Sequence, residues 1–255
     1  EQDKLLATWP SAAMVGWIFL KFYKFKPLFP QTMKTIFLEA RHNKNFTLPA
    51  NVITKLKKYK TLALFTTVQF LDSIPKIKKQ LEKANIKVQL IQTKHCQYKA
   101  QLLGCSILES KIKAGVDVFL YLGDGLFHPI ALKISNNKSV LAFNPFTKKV
   151  SEITDQQTKK MQQQQKAALV KFHTSKEIGV LITTKSGQHN MKAAKKLEKK
   201  FPNKKYYFFI FDTLDFTQLE NFPFIDCYVN TACPRISYDD QEKSPKKIID
   251  ISLLQ

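Results

Sequence analysis

From Thr35 onward, short runs of β-branched and aromatic residues alternate with lysine-rich runs whose apolar residues recur every three or four positions. That alternation is the signature of crossover units built around a parallel sheet. TIFLEA, residues 35–40, reads as a strand, and LPANVITKLKKY reads as a short helix with Pro49 near its start. TLALFTTV reads as a buried strand, SIPKIKKQLEKAN as a helix with the apolar stripe Ile74, Ile77 and Leu81, and KVQLIQT as a third strand. VDVFLYLGDG runs as a continuous apolar strand into a glycine turn, and SVLAFNPF is a strand ended by proline. Residues 154–170 are glutamine-rich, but Met161, Ala168 and Leu169 fall at helical spacing, so a connecting helix is expected rather than a disordered linker. A second strand set follows in EIGVLITT, KKYYFFIFD and FIDCYVNTA.

The expected fold class is therefore α/β, with two Rossmann-like domains and mainly parallel sheets. The boundaries read as 33–150 and 151–255, with 1–32 an N-terminal extension outside the fold because Met33 directly precedes the first strand pattern. The 255 residues, 44% hydrophobic and with 20 phenylalanines, suffice for two packed cores. The apolar run Ala12–Leu20 is half the length of a membrane helix and is closed by Lys21, and EQDKLLATWPS shows no secretory pattern. Neither a membrane span nor a leader is expected.

Charge widens the field of partners. With 41 basic and 20 acidic residues the formal net charge is +21, which favours nucleic acid, a ribonucleoprotein or an acidic protein, and equally suits a solvated lysine surface. Arginine occurs only as Arg41 and Arg235, which weighs against phosphate and base recognition through guanidinium forks. The cysteines, at 96, 105, 227 and 233, form no CxxC pair and no dense framework, so a zinc ribbon and a secreted disulfide scaffold are both disfavoured and a reducing cytoplasm fits.

Ligands of open parallel sheets collect beyond the carboxyl ends of the strands. Four clusters fall there: GDGLFHP after its strand, TTKSGQ after GVLI, TTVQF with Gln69, and TACPR after FIDCYVN. Gly123 and Gly125 allow a close backbone approach, while Asp124 and His128 add polar groups; taken alone, His128 before Pro129 also suits a structural histidine. Cys105 follows a glycine in LLGC, with open space for a thiolate.

AQLLGCS, YLGDGLFHPIAL, AFNPFTK, GVLITTKSGQ and ENFPFIDCYVNTACPRISYDD occur in an order and separation that resembles the diphthamide synthase family, the 2-(3-amino-3-carboxypropyl)histidine synthases. The resemblance covers residues 60–250. It implies a 4Fe-4S cluster held by three thiolates, with the fourth iron open to S-adenosylmethionine. It also implies cleavage of the sulfonium–γ-carbon bond and transfer of a 3-amino-3-carboxypropyl radical to a histidine of translation elongation factor 2. Such chemistry asks for soft ligands and a pocket that excludes water. By motif, Cys105 and Cys233 become cluster ligands, and Gly123, Asp124, Gly125, His128 and Gln188 stand around the cofactor. Arg235 pairs either with a ligand carboxylate or with Asp239 and Asp240.

The family arranges three domains about the cluster, each giving one cysteine, and this chain reads as a short form without a match for most of the first. The third ligand is then Cys96, His95 or a residue of a partner chain, either a homodimer copy or a second synthase subunit. Cys227 lies six residues before Cys233 on one apparent strand, roughly 20 Å away at the strand rise, and reads as a core residue. An electron donor is a further implied partner. Two other functions stay open: a non-catalytic or electron-relay subunit of a synthase complex, and, ranked third, a basic nucleic-acid-binding α/β protein.

Overall fold

The computed structural model describes residues 36–108, 112 and 115–254. The stretch 1–32 lies outside the described residues. Helix α1 (Ala50–Leu56) begins behind Pro49 and buries Val52 and Leu56. Strand β1 (Thr61–Thr66) leads to α2 (Ile74–Lys83), whose buried residues are Ile74, Ile77 and Leu81, and then to β2 (Lys87–Gln89). After a long loop come α3 (Gly104–Leu108), β3 (Val118–Leu122), α4 (Phe127–Asn136), β4 (Val140–Asn144) and β5 (Lys149–Glu152). The connecting helix α5 (Asp155–Thr174) precedes β6 (Glu177–Thr183), α6 (Met191–Lys200), β7 (Lys205–Phe211), β8 (Cys227–Asn230), α7 (Arg235–Tyr238) and β9 (Ile248–Asp250).

Two sheets result. The first has the order β2-β1-β3-β4-β5, parallel except for the β4–β5 hairpin; the second, β7-β6-β8-β9, is parallel throughout. Side chains alternate along a strand, and β1 shows the consequence. Leu62 and Leu64 join the core under α1 and α2, while Ala63 and Phe65 face the core containing Leu132 of α4. Burial on both faces is why these strands are continuous apolar runs. In β6 the same alternation sends Ile178, Val180 and Ile182 towards α5 and α6, and Leu181 towards Phe209 and Tyr228. Gly179 sits in the middle of that strand because a Cβ there would lie 2.4 Å from the Tyr228 ring.

The glutamine-rich helix forms as expected, and its start has a local cause. The Thr154 hydroxyl accepts the Gln157 N–H at 3.3 Å and the Gln157 side chain accepts the Thr154 N–H at 2.8 Å, a reciprocal cap. Two strand expectations fail. Residues 36–40 form no strand, and Ile36, Phe37 and Leu38 are 81%, 73% and 89% exposed. No described strand pairs with them, and Glu39 closes the run in an ion pair with Arg41. The KVQLIQT strand stops at Gln89, because the chain leaves the sheet edge in a loop that passes through left-handed residues at His95 (φ 64°) and Ala100 (φ 67°). No helix among the described residues is long and apolar enough to cross a membrane.

Candidate functional site

Both sheets change direction of winding between two neighbouring strands, β1 and β3 in the first and β6 and β8 in the second. Loops that leave the carboxyl ends of such a pair diverge and open a crevice. The two motif cysteines follow these places. Residues 100–102 run alongside the end of β1, where the Thr66 N–H donates to Ala100 O and the Leu102 N–H to Thr66 O, each at 2.8 Å. This contact delivers Gly104 and the half-buried Cys105 into α3. Gly104 is required there, since a Cβ would stand 2.8 Å from Cε1 of Phe127.

Cys233 follows β8 through a tighter loop. The Asn230 side chain donates to Cys233 O at 2.9 Å and to the Ser237 hydroxyl at 3.2 Å, and accepts the Ala232 N–H at 3.0 Å. Ser237 donates to Asp250 Oδ2 at 3.0 Å, while Ser252 donates to Oδ1 from its N–H at 3.0 Å and its hydroxyl at 2.6 Å. Gln165 of α5 donates to Ser237 O at 2.7 Å. Asp250 is buried, and burial raises its pKa against the pull of these donors. Pro234 then opens α7, which positions Arg235.

The two loops meet at Phe127. Gly104 packs on its ring, and the Arg235 guanidinium lies 5.4 Å from the ring centroid. Arg235 is held by Asp239 at 2.6 Å, whereas Asp240 pairs with Lys243 at 2.7 Å, so only one of the two expected aspartates serves the arginine. Beside Phe127, the half-buried His128 stacks on Tyr121 at 5.8 Å, with Nδ1 3.4 Å from the phenol oxygen. Burial first, and the Arg235 charge second, push the His128 pKa down to about 4. The imidazole is neutral at physiological pH.

The glycines of this motif serve different ends. The space beside Gly123 belongs to the Tyr121 side chain, whose hydroxyl oxygen lies 2.5 Å and nearest ring carbon 2.6 Å from where a Cβ would stand, so that glycine makes room for Tyr121 and through it His128. Gly125 faces open space, and Asp124 is exposed next to it. Gln188 is exposed behind Gly187, whose φ is +78°; among the described residues no side-chain bond ties it to the Phe127 group.

Of the remaining cysteines, Cys227 is fully buried in the second core, and burial pushes its thiol up to about 12. Cys96 does fold back towards α3, but it is buried, with Sγ 3.7 Å from Ser106 Oγ, one residue from Cys105. Among the described residues no group of three His, Cys, Asp or Glu side chains is arranged to hold a metal ion. Asn230, Ser237, Gln165, Phe127 and Tyr121 are site residues that motif reading passed over.

The family model for diphthamide synthesis proteins matches residues 23–251. The chain belongs to the diphthamide synthesis protein family. It is 29% identical over 216 residues to the 2-(3-amino-3-carboxypropyl)histidine synthase of Pyrococcus horikoshii, covering 83% of this chain and 61% of that protein. The human 2-(3-amino-3-carboxypropyl)histidine synthase subunit 1 is 29% identical over 192 residues, 74% of this chain and 42% of that protein. A crystal structure of Dph2 from Pyrococcus horikoshii with a 4Fe-4S cluster superposes with a TM-score of 0.69 at 27% identity, covering 79% of this chain and 58% of that chain. The chain thus spans about three fifths of the length of the archaeal relatives it matches. The family match begins at residue 23, within the stretch expected to lie outside the fold.

Proposed function

We propose that this chain carries two of the thiolate ligands of a 4Fe-4S cluster in an enzyme of diphthamide biosynthesis, a transferase that moves the 3-amino-3-carboxypropyl group of S-adenosylmethionine to a histidine of translation elongation factor 2. The supporting observation is the meeting of the Cys105 and Cys233 loops on Phe127. The donor set fits the group: these two thiols are partly open, while Cys96 and Cys227 are buried, and thiolates are the soft ligands iron–sulfur clusters take. When bound, the cluster supplies the electron that breaks the sulfonium–γ-carbon bond.

The chain's own residues do the positioning. Asn230, Ser237 and Asp250 fix the Cys233 backbone, and Phe127 packs apolar surface beside both loops, limiting water. Neutral His128 adds a hydrogen-bonding group without a second cation next to Arg235. Asp124, Gly125 and Gln188 are assigned to the methionine end of S-adenosylmethionine. A partner chain, a second copy or another synthase subunit, supplies the third thiolate, and a separate electron donor completes the system in a reducing cytoplasm.

Anaerobic reconstitution tests the assignment. Cys105→Ala and Cys233→Ala should each lose most of the bound iron and the brown absorbance, while Cys96→Ala should keep the wild-type amount. Full iron in either of the first two variants removes the cluster from this site. Iron loss in Cys96→Ala transfers the third position to Cys96.

A further inference from the structure

A second groove, of about 540 Å³, lies between the loop bearing Lys94 and His95 and the helix α6. Its rim carries those two residues together with Lys192, Lys196 and Lys200. The last three stand four residues apart, so they share one face of α6, a spacing at which like charges destabilise the helix unless something neutralises them. Within MKAAKKLEKK the only acidic residue is Glu198, and among the described residues no acidic residue lines the groove. Lys200 reaches across to Leu254 O at 2.8 Å, tying α6 to the floor. That floor is apolar, formed by Ala193, Leu197, Ile251 and Leu254.

We propose that this groove docks an acidic segment of a protein partner, with carboxylates on the lysine rim and an apolar side chain on the floor. Charge complementarity commits the choice. Lysine ammoniums are point charges suited to single carboxylates, and among the described residues the rim offers neither an arginine fork nor an exposed aromatic platform of the kind single-stranded RNA uses. The apolar floor adds a contact that a sugar–phosphate backbone has no group to fill. His95 is next to Cys96, whose thiol touches the residue after Cys105. A partner seated here is therefore held near the loops that meet at Phe127, and the groove stands whether or not those loops bind iron.

Fluorescence anisotropy on the whole chain tests this. The probes are a labelled glutamate peptide containing two leucines, an all-glutamate peptide of equal length, and an oligouridylate. The leucine-containing peptide should bind about tenfold tighter than either other probe. K192E/K196E should weaken it about tenfold or more, while K55E/K58E, an equal charge change on the exposed face of α1 and the turn after it, should leave it within about twofold. Circular dichroism of both variants checks that the helices persist. Equal losses in the two variants would reduce the effect to bulk charge, and tighter binding of oligouridylate or indifference to the leucines would equally overturn the proposal.

Discussion

Asp117 stands one residue before β3, and its Oδ2 accepts the backbone N–H groups of Lys60 and Thr61 at 2.8 Å each. Asp226 stands one residue before β8, and its Oδ2 accepts those of Lys176 and Glu177 at 3.0 and 3.1 Å. The amino ends of the two sheets are thus pinned by the same device, a carboxylate capping the entry of the neighbouring strand. At the carboxyl ends the likeness stops. The second sheet holds its cysteine loop with a buried polar network built on a carboxylate, from Asn230 to Asp250, whereas the first uses backbone bonds to Thr66, the uncharged side chains of Thr93, Gln101 and Ser106, and Gly104 packing against Phe127. One half of the candidate site is fixed by hydrogen bonds around a buried carboxylate, the other by uncharged hydrogen bonds together with a close contact between a glycine and a ring.

Breaking the polar half should have the largest effect on stability. Asp250→Ala removes the acceptor of Ser237 and Ser252, and leaving a buried donor without a partner costs about 1–3 kcal/mol each. Relief of the carboxylate's own burial penalty offsets part of this, so a net loss of about 3 kcal/mol is expected in urea unfolding. Thr66→Val, which removes the 2.8 Å bond from Thr66 to Leu122 O at the matching end of the first sheet, should cost only about 1 kcal/mol. Equal losses would erase the contrast between the two ends.

The packed half should respond in the opposite proportion. Gly104→Ala forces the Phe127 ring aside, and overpacking of this size costs about 1–3 kcal/mol. Because that ring touches both loops, retained iron after anaerobic reconstitution should fall by more than in Asn230→Ala, which loosens only Cys233. A Gly104→Ala protein with wild-type iron would show that Phe127 does not couple the loops.

The sequence made parts of this contrast readable and hid others for physical reasons. Continuous apolar strands and the stripe Ile74, Ile77 and Leu81 report burial directly, so β1, β3, β4, β6, β7, β8 and α2 appear where periodicity puts them, whereas β5 and β9, short strands at the sheet edges, lie outside the expected set. TIFLEA has a strand's composition, but a strand also needs a neighbour, and pairing is not a local property. Cys105 and Cys233 are visible through their motifs. Asp250 left a trace as a carboxylate inside the apolar run KIIDIS. Gln165 left none, because it lies in a run of four glutamines and only the helical phase of α5 turns that one inward. Gly123 misled in its purpose, since the ring it accommodates belongs to the chain itself.

The smallest expected effect separates the two ends by the sign of their pH dependence. Hydrogen bonds from Thr61 and Lys60 hold the pKa of Asp117 below the usual range; for Asp226 burial pulls upward, but the N–H groups of Glu177 and Lys176 prevail and the net shift is down. A depressed carboxyl contributes stability above its unfolded value, about 3.9, and loses it as pH falls through the folded value. Asp250 is shifted the other way, so its contribution is full below the unfolded value and is lost as pH rises through the folded one. Urea midpoints measured against pH should therefore show Asp117→Asn and Asp226→Asn flattening the acid limb alone, and Asp250→Asn flattening the slope on the alkaline side of about 3.9. If Asp250→Asn changed the acid limb instead, its carboxylate would be stabilised by its donors more than it is penalised by burial, and the two ends of the second sheet would work by one principle rather than two.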